Sequence, residues 1–138
     1  MNIKHATSDD IKFIQELHIL VGPPNLGEDK DWTYEELMDM FHDNLCFIAW
    51  EDNTRIGFIL GTRLRPFGAM IWNAAVLPKY QSRMVGPQLI KHFEDSALAS
   101  GVKWIVNYIK HNADWVEIER NGRKYLKGEK YTEVITIL

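Results

Sequence analysis

Between Val76 and Ile90 the chain reads V-L-P-K-Y-Q-S-R-M-V-G-P-Q-L-I: an apolar strand end, a proline, a polar loop with Gln81, Arg83 and Gly86, then an amphipathic helix. A loop that feeds directly into a helix turns several backbone N–H groups toward one point, and the positive end of the helix dipole favours an anion there. Such a segment suits the grasp of a diphosphate. Any strand-to-helix turn can contain glycine and polar residues simply to reverse the chain, so the surrounding charge helps to weigh it. From Lys79 to His92 the fully charged residues are Lys79, Arg83 and Lys91, all positive, in a chain of formal net charge -3. From Glu28 to Asp43, by contrast, Glu28, Asp29, Asp31, Glu35, Glu36, Asp39 and Asp43 face a single Lys30. The positive segment fits a phosphate-bearing cofactor. The acidic one either attracts a cationic second substrate or is a solvated helix face.

The elements that must position this loop follow from periodicity and punctuation. Ile3 to Ala6 reads as a short strand, and Ser8 can cap a helix with Ile11, Ile14, Leu17 and Val21 on one side. Gly22 to Asp31, with two prolines and two glycines, reads as a long loop. Thr33 and Glu36 form a capping box for a helix with apolar face Tyr34, Leu37, Met38 and Phe41. Leu45 to Glu51, Ile56 to Leu64 and Met70 to Leu77 are strands joined by short turns, which implies an antiparallel meander. The helix after the loop carries Leu89, Ile90, Phe93 and Ala97 on one face and stops at Gly101; Pro87 is tolerable in its first turn. Lys103 to Ile109 is a further strand, so Met70 to Ile109 is a strand, helix, strand unit whose strands run parallel through a right-handed crossover. Asn112 can cap a last helix bearing Trp115 and Ile118, and Tyr131 to Leu138 alternates like a terminal strand. The expected fold class is α+β: a mixed, mostly antiparallel sheet flanked by about four helices.

Composition narrows the function classes. The 138 residues, 46% apolar and 12% aromatic, suffice for one domain with a proper core, and residues 1–138 read as a single domain. The acidic balance and the lack of a basic stripe interleaved with aromatics argue against nucleic acid. The N-terminus has no apolar signal core and no stretch is long enough to span a membrane, so a cytoplasmic setting is expected. Cys46 lies in an apolar run and reads as a small buried thiol. The histidines His5, His18, His42, His92 and His111 show no metal-ligand spacing, so no metal is expected. The five tryptophans read as core, with Trp32 the best candidate for a substrate contact because it follows the long loop.

Val76, Pro78, Tyr80, Gln81, Met84 and Gly86, followed by Leu89 and Ile90, resemble the signature of the GNAT superfamily of acyl-CoA-dependent N-acetyltransferases, Q/R-x-x-G-x-G/A after a strand ending V-x-P-x-Y. The element order resembles that family over nearly the whole chain. The resemblance implies acetyl-CoA or coenzyme A as co-substrate, with Gln81, Ser82, Arg83, Met84, Val85 and Gly86 around the pyrophosphate. It further implies Val76 and Leu77 along the pantetheine arm, whose amides pair with the splayed strand edge like an added strand, and Asn112 among the cofactor-binding residues. The implied activity is transfer of an acetyl group to a primary amine of a small molecule or protein; the alternative is a CoA-binding or regulatory module of the same fold without turnover. The implied partners are an amine acceptor and, as often in the family, a second copy of the chain.

Two departures stand out. Met84 occupies the first glycine position of the signature, where a left-handed backbone would cost a side chain about 1 kcal/mol. The last helix offers Glu117 or Ile118 where the family commonly has a tyrosine that protonates the departing thiolate. General acid catalysis contributes about 10²- to 10⁴-fold, so its loss slows a transferase without abolishing it. Tyr108 and Tyr125 are candidate substitutes, against the alternative that each simply packs with a hydrogen-bonded tip. Glu36, His42 and Glu51 are candidate bases, and Asn73 a candidate for orienting water.

Overall fold

The computed structural model describes residues 1–21, 32–109, 124–127 and 132–138, with side chains described outside 108–135. Seven strands form one sheet: β1 (Asn2–His5), β2 (Phe47–Glu51), β3 (Thr54–Leu64), β4 (Gly68–Val76), β5 (Trp104–Ile109), β6 (Lys124–Lys127) and β7 (Thr132–Ile137), in spatial order β1-β2-β3-β4-β5-β7-β6. Every pairing is antiparallel except β4 with β5, which run parallel on either side of the intervening helix. The α-helices among the described residues are α1 (Ile11–Val21), α2 (Tyr34–Phe41) and α3 (Val85–Ala99). The α+β class, the antiparallel meander and the parallel crossover are as the sequence implied. The fourth expected helix, with Asn112, Trp115 and Ile118, lies outside the described residues. Strand β6 was not anticipated.

Local differences have local causes. Thr7, not Ser8, is the cap: its N–H donates to Asp10 Oδ2 at 2.7 Å, and a 3-10 turn over Ser8–Asp10 precedes α1. Asp10 is buried but paired, because Arg55 Nε donates to its other oxygen at 2.7 Å and ties the turn before α1 to β3. The inward face of α1 is Ile11, Ile14, Leu17 and His18, with a histidine where apolar spacing alone suggests Val21. In α2 the buried residues are Leu37 and Met40, whereas Tyr34 is 51% exposed. Of the tryptophans, those with described side chains stand at the core's margin, not in it.

The sheet separates two cores. On one face α3 presents Val85, Leu89, Phe93 and Ala97, every fourth residue, against Phe47, Ile59, Ala69 and Ile71. On the other face α1 and α2 cover Ile48, Phe58, Leu60 and Ala75. Cys46 lies in this second core, its thiol pushed up to about 12 by burial, which leaves it protonated and inert. The close seating of α3 depends on Gly61: a Cβ there would enter the Phe93 ring and stand 2.9 Å from the Met70 carbonyl oxygen. Gly61→Ala is therefore expected to destabilise the fold by about 1–3 kcal/mol in urea denaturation; an unchanged midpoint would contradict this packing.

Phe47 lies between two histidine rings, His5 at 4.8 Å and His92, edge-on, at 4.7 Å between centroids. Burial chiefly, with His5 adding to it, lowers the His92 pKa below its ordinary 6.5. A base with a depressed folded pKa binds its proton better when unfolded, so stability rises with pH through this range and is lost as pH falls below the ordinary value. The urea midpoint should drop between about pH 7 and about pH 5 by more in the native chain than in His92→Gln. Equal drops would remove His92 as the cause.

Candidate active site

Strand β4 changes phase half-way along. Leu60 pairs with Asn73 and the next residue, Gly61, with Ile71, so Trp72 has no cross-strand partner and forms a bulge. A bulge bends its strand and re-aims side chains. Here Ile71 faces the α3 core, while the next two side chains both turn to the α1/α2 face: Trp72 Nε1 donates to Thr62 Oγ1 at 2.8 Å and Asn73 Nδ2 contacts His18 Nδ1 at 2.7 Å. The β4–β5 ladder stops at the same place, its last pair being Ile71 with Asn107. Beyond it β5 continues against β7 and β4 against β3, so the two parallel strands diverge.

Among the described residues, the diverging end of β4 has no strand partner on its β5 side. Leu77 N–H donates to Ile56 O across the β3 side at 2.9 Å, and strand alternation then turns the backbone groups of Val76 and Ala74 toward the gap. The Val76 carbonyl is capped there by Gln81 Nε2 at 3.1 Å, a reason for the Gln81 side chain that involves no ligand.

The loop after β4 is fixed at both ends. Tyr80 is buried, with Lys79 Nζ and the Arg83 guanidinium 5.3 and 5.0 Å from its ring centre, and the Val85 side chain is buried at the start of α3. Between them Gln81, Ser82, Arg83 and Met84 are exposed. Arg83 also reaches Glu51 Oε2 at 3.5 Å, an exposed pair worth little to stability but enough to hold the cation at the loop. The amides are not all equivalent. Gln81 and Arg83 N–H groups donate to Pro78 and Tyr80 carbonyls at 3.3 and 3.1 Å, and the first bond into α3 runs from Gln88 N–H to Met84 O at 3.2 Å. Helix geometry leaves the N–H groups of Val85 and Gly86 without an intrahelical acceptor, and Pro87 has none to satisfy. The Arg83 amide is thus engaged within the protein.

Met84 adopts the left-handed backbone that the signature's first glycine would allow, φ 62° and ψ 21°, and is 62% exposed. Its side chain does not fill the site. Gly86 is informative by contrast with the other four glycines of described surroundings. At Gly57, Gly61 and Gly68 a Cβ would meet neighbouring atoms too closely, and Gly101 has φ +92°; at Gly86 the nearest atom to a Cβ is Val76 Cγ2, at 4.0 Å. Among the described residues nothing requires glycine there, and its bare side faces the end of β4.

The candidate bases separate. Glu36 is a helix cap, its Oε1 accepting from Thr33 N–H and its own N–H donating to Thr33 Oγ1, both at 3.1 Å. His42 follows α2 and lines a groove with His5, Asp43, Arg63, Ser96 and Ser100 beside the C-terminal end of α3, the opposite end of the sheet from the loop. Glu51 does come to the loop, as partner of Arg83. Asn73 sits at the bulge itself. The side chains of Tyr108 in β5 and Tyr125 in β6, and all of Asn112, lie outside the described residues. His18 was missed by the sequence reading; its one signal was a histidine placed four residues after Ile14 on an apolar helix face. Among the described residues no three His, Cys, Asp or Glu side chains gather as metal ligands, and no helix is long and apolar enough to cross a membrane.

Residues 12–114 match the sequence model of the Acetyltransferase (GNAT) family. The chain belongs to this family. Solved structures with the same fold include a Mycobacterium tuberculosis protein, Rv2747, in complex with CoA, at 11% identity and TM-score 0.80 over 100% of this chain and 99% of that one. A ribosomal-protein-alanine N-acetyltransferase from Brucella melitensis matches at 15% identity and TM-score 0.75 over 100% of both chains. The PaiA N-acetyltransferase from Thermoplasma acidophilum, in complex with coenzyme A, matches at 16% identity and TM-score 0.73, over 98% of this chain and 96% of that one. No curated protein matches by sequence. At these identities the structures establish the fold, and the family match establishes the membership.

The Met84 conformation makes a stability prediction for this GNAT chain. Met84→Gly should raise the unfolding free energy by up to about 1 kcal/mol by relieving the left-handed strain, offset in part by the greater freedom of glycine when unfolded. Met84→Ala, which keeps the strain, should not. Destabilisation by the glycine variant would show that the side chain carries packing that its exposure hides.

Proposed function

We propose that this chain is an acyl-CoA-dependent N-acetyltransferase, moving an acetyl group from acetyl-CoA to a primary amine of a small molecule or peptide. The observation that carries this reading is the continuity of three features: the open β4 edge at Ala74 and Val76, the unpaired amides at the start of α3, and the bare Gly86 facing Val76. The CoA complexes of fold relatives, including PaiA from Thermoplasma acidophilum, support it. Acetyl-CoA supplies a reactive thioester; what this chain adds is position. Val85 and Gly86 amides and the helix dipole favour the diphosphate, with Arg83 contributing positive charge beside them. The β4 edge gives an extended pantetheine amide chain a strand to pair with. Holding an amine near the thioester accounts for a large share of the rate without a covalent enzyme intermediate.

The left-handed Met84 and the engaged Arg83 amide favour, as the second reading, a GNAT-fold module that binds CoA without turnover. Release of free thiol with a panel of primary amines separates the two, since sustained release excludes a pure binder. Isothermal titration with acetyl-CoA and with CoA tests both: saturable heat is expected below about 1 mM, and silence from both ligands removes the common premise. Gly86→Leu should leave the melting temperature unchanged or raised and weaken CoA binding by about ten-fold or more. Loss of stability in place of affinity would assign Gly86 to packing.

A further inference from the structure

Two buried polar atoms on the α1/α2 face have no hydrogen-bond partner: Asn73 Oδ1, an acceptor, and Trp32 Nε1, a donor. Asn73 is only 5% exposed. Its amide is held from one side, Nδ2 lying 2.7 Å from His18 Nδ1, and Oδ1 is turned away from that contact. Trp32 belongs to the same cluster, its ring centre 6.4 Å from that of His18 and 6.4 Å, edge-on, from that of Trp72. The backbone carbonyl of Trp32 accepts from Gln15 Nε2 at 2.9 Å, which fixes its position against α1. Buried polar groups are nearly always paired, and an unmet one costs more than a hydrogen bond gains. A small polar group offering both a donor and an acceptor would satisfy the two.

The place of this cluster in the chain gives it a purpose. Trp72 and Asn73 are the bulge residues, directly before Ala74 and Val76 on the open strand edge. We propose that Asn73 Oδ1 and Trp32 Nε1 seat the acceptor substrate, a primary amine with an oxygen lone pair close to it, such as a peptide N-terminus or an amino alcohol. The inference rests on the acyl-transfer reading above and refines it. An amine N–H donates to Asn73 Oδ1; the neighbouring carbonyl or hydroxyl oxygen accepts from Trp32 Nε1. The faces of Trp32 and Trp72 wall the seat, and aromatic faces favour an ammonium before it loses its proton. Trp72, 47% exposed and held by one hydrogen bond to Thr62, is the wall that rotates to admit the substrate; side-chain rotations of this kind commonly accompany binding. His18 acts through Asn73, fixing which end of the amide faces the seat. A simple polyamine has nothing to offer Trp32.

The test uses the full chain saturated with CoA, titrated calorimetrically with a dipeptide amide, an amino alcohol and an alkyl diamine, alongside steady-state thiol release with acetyl-CoA. The first two should bind more tightly than the diamine. Trp32→Phe, which keeps a ring and removes the donor, should abolish that preference. Asn73→Asp keeps an oxygen toward the seat and should hold the amine KM within a few-fold, whereas Asn73→Leu should raise it about ten-fold or more with CoA affinity unchanged. Asp and Leu variants with equal KM, or a diamine bound as tightly as the other two, would overturn the inference. So would CoA binding with no amine binding, which leaves the acyl-CoA reading standing; loss of CoA binding by the native chain instead sinks that reading first.

Discussion

The arrangement of the site depends on one missing pairing, the unpartnered Trp72 in the middle of β4. A regular strand would carry the β4–β5 ladder to its end and leave no edge between two parallel neighbours. One extra residue changes three things together: the ladder with β5 ends at Ile71, two adjacent side chains turn to the same face, and the strand's later residues exchange their cores. Ile71 and Ala75 are both buried, yet against opposite helices, α3 for the first and the α1/α2 pair for the second. The register shift is held by burial on both sides, because slipping Asn73 back into phase would pull Ala75 from its core and break the contact with His18.

What surrounds the bulge is closely packed. Helix α3 is fixed to the sheet by side chains at every fourth position, with Phe93 over Gly61 and Leu89 close to Gly57. Each fully buried leucine or phenylalanine of this kind stabilises by about 1.5–3 kcal/mol, so the helix start is not free to drift from the end of β4. Its opening amides therefore keep a constant relation to the Val76 edge. A site that works by position needs this kind of support, since small displacements of a binding loop cost rate steeply.

How far the sequence could be read depended on the range of the interaction concerned. The Thr33–Glu36 box is complete within four residues and stands as expected, as does the i, i+4 face of α3. The first helix start was displaced by one residue because a 3-10 turn comes before α1, and Thr7 finds its partner in Asp10, itself tied to distant Arg55. In α2, Tyr34 obeys the apolar spacing but occupies the first helical position, beyond the reach of the core, and Met40 takes the buried place. Val76, Met84 and Gly86 were visible because loop-to-helix chemistry is local. The bulge was not, since a register shift is a relation between β3 and β4 that neither strand's residues state alone. His18 and Asn73, 55 positions apart, met only when the helix and the bulge were both in place.

Met84 shows why a departure from a glycine signature need not change the loop's course. The chain must reverse within the four exposed residues between two buried anchors, Tyr80 and Val85, and it does so by one residue in the left-handed region. That geometry belongs to the anchors and not to the residue at position 84. A methionine there accepts a strain of about 1 kcal/mol, small beside the burial of the anchors, and directs its side chain to solvent. The amide direction is set by the backbone and survives the substitution. Gly86 differs, because its backbone is not left-handed and, of the described residues, a Cβ there would meet only Val76 Cγ2, at 4.0 Å. The two glycine positions of the signature thus differ here: one has a left-handed backbone that another residue adopts at a cost, and the other stands beside open space among the described residues.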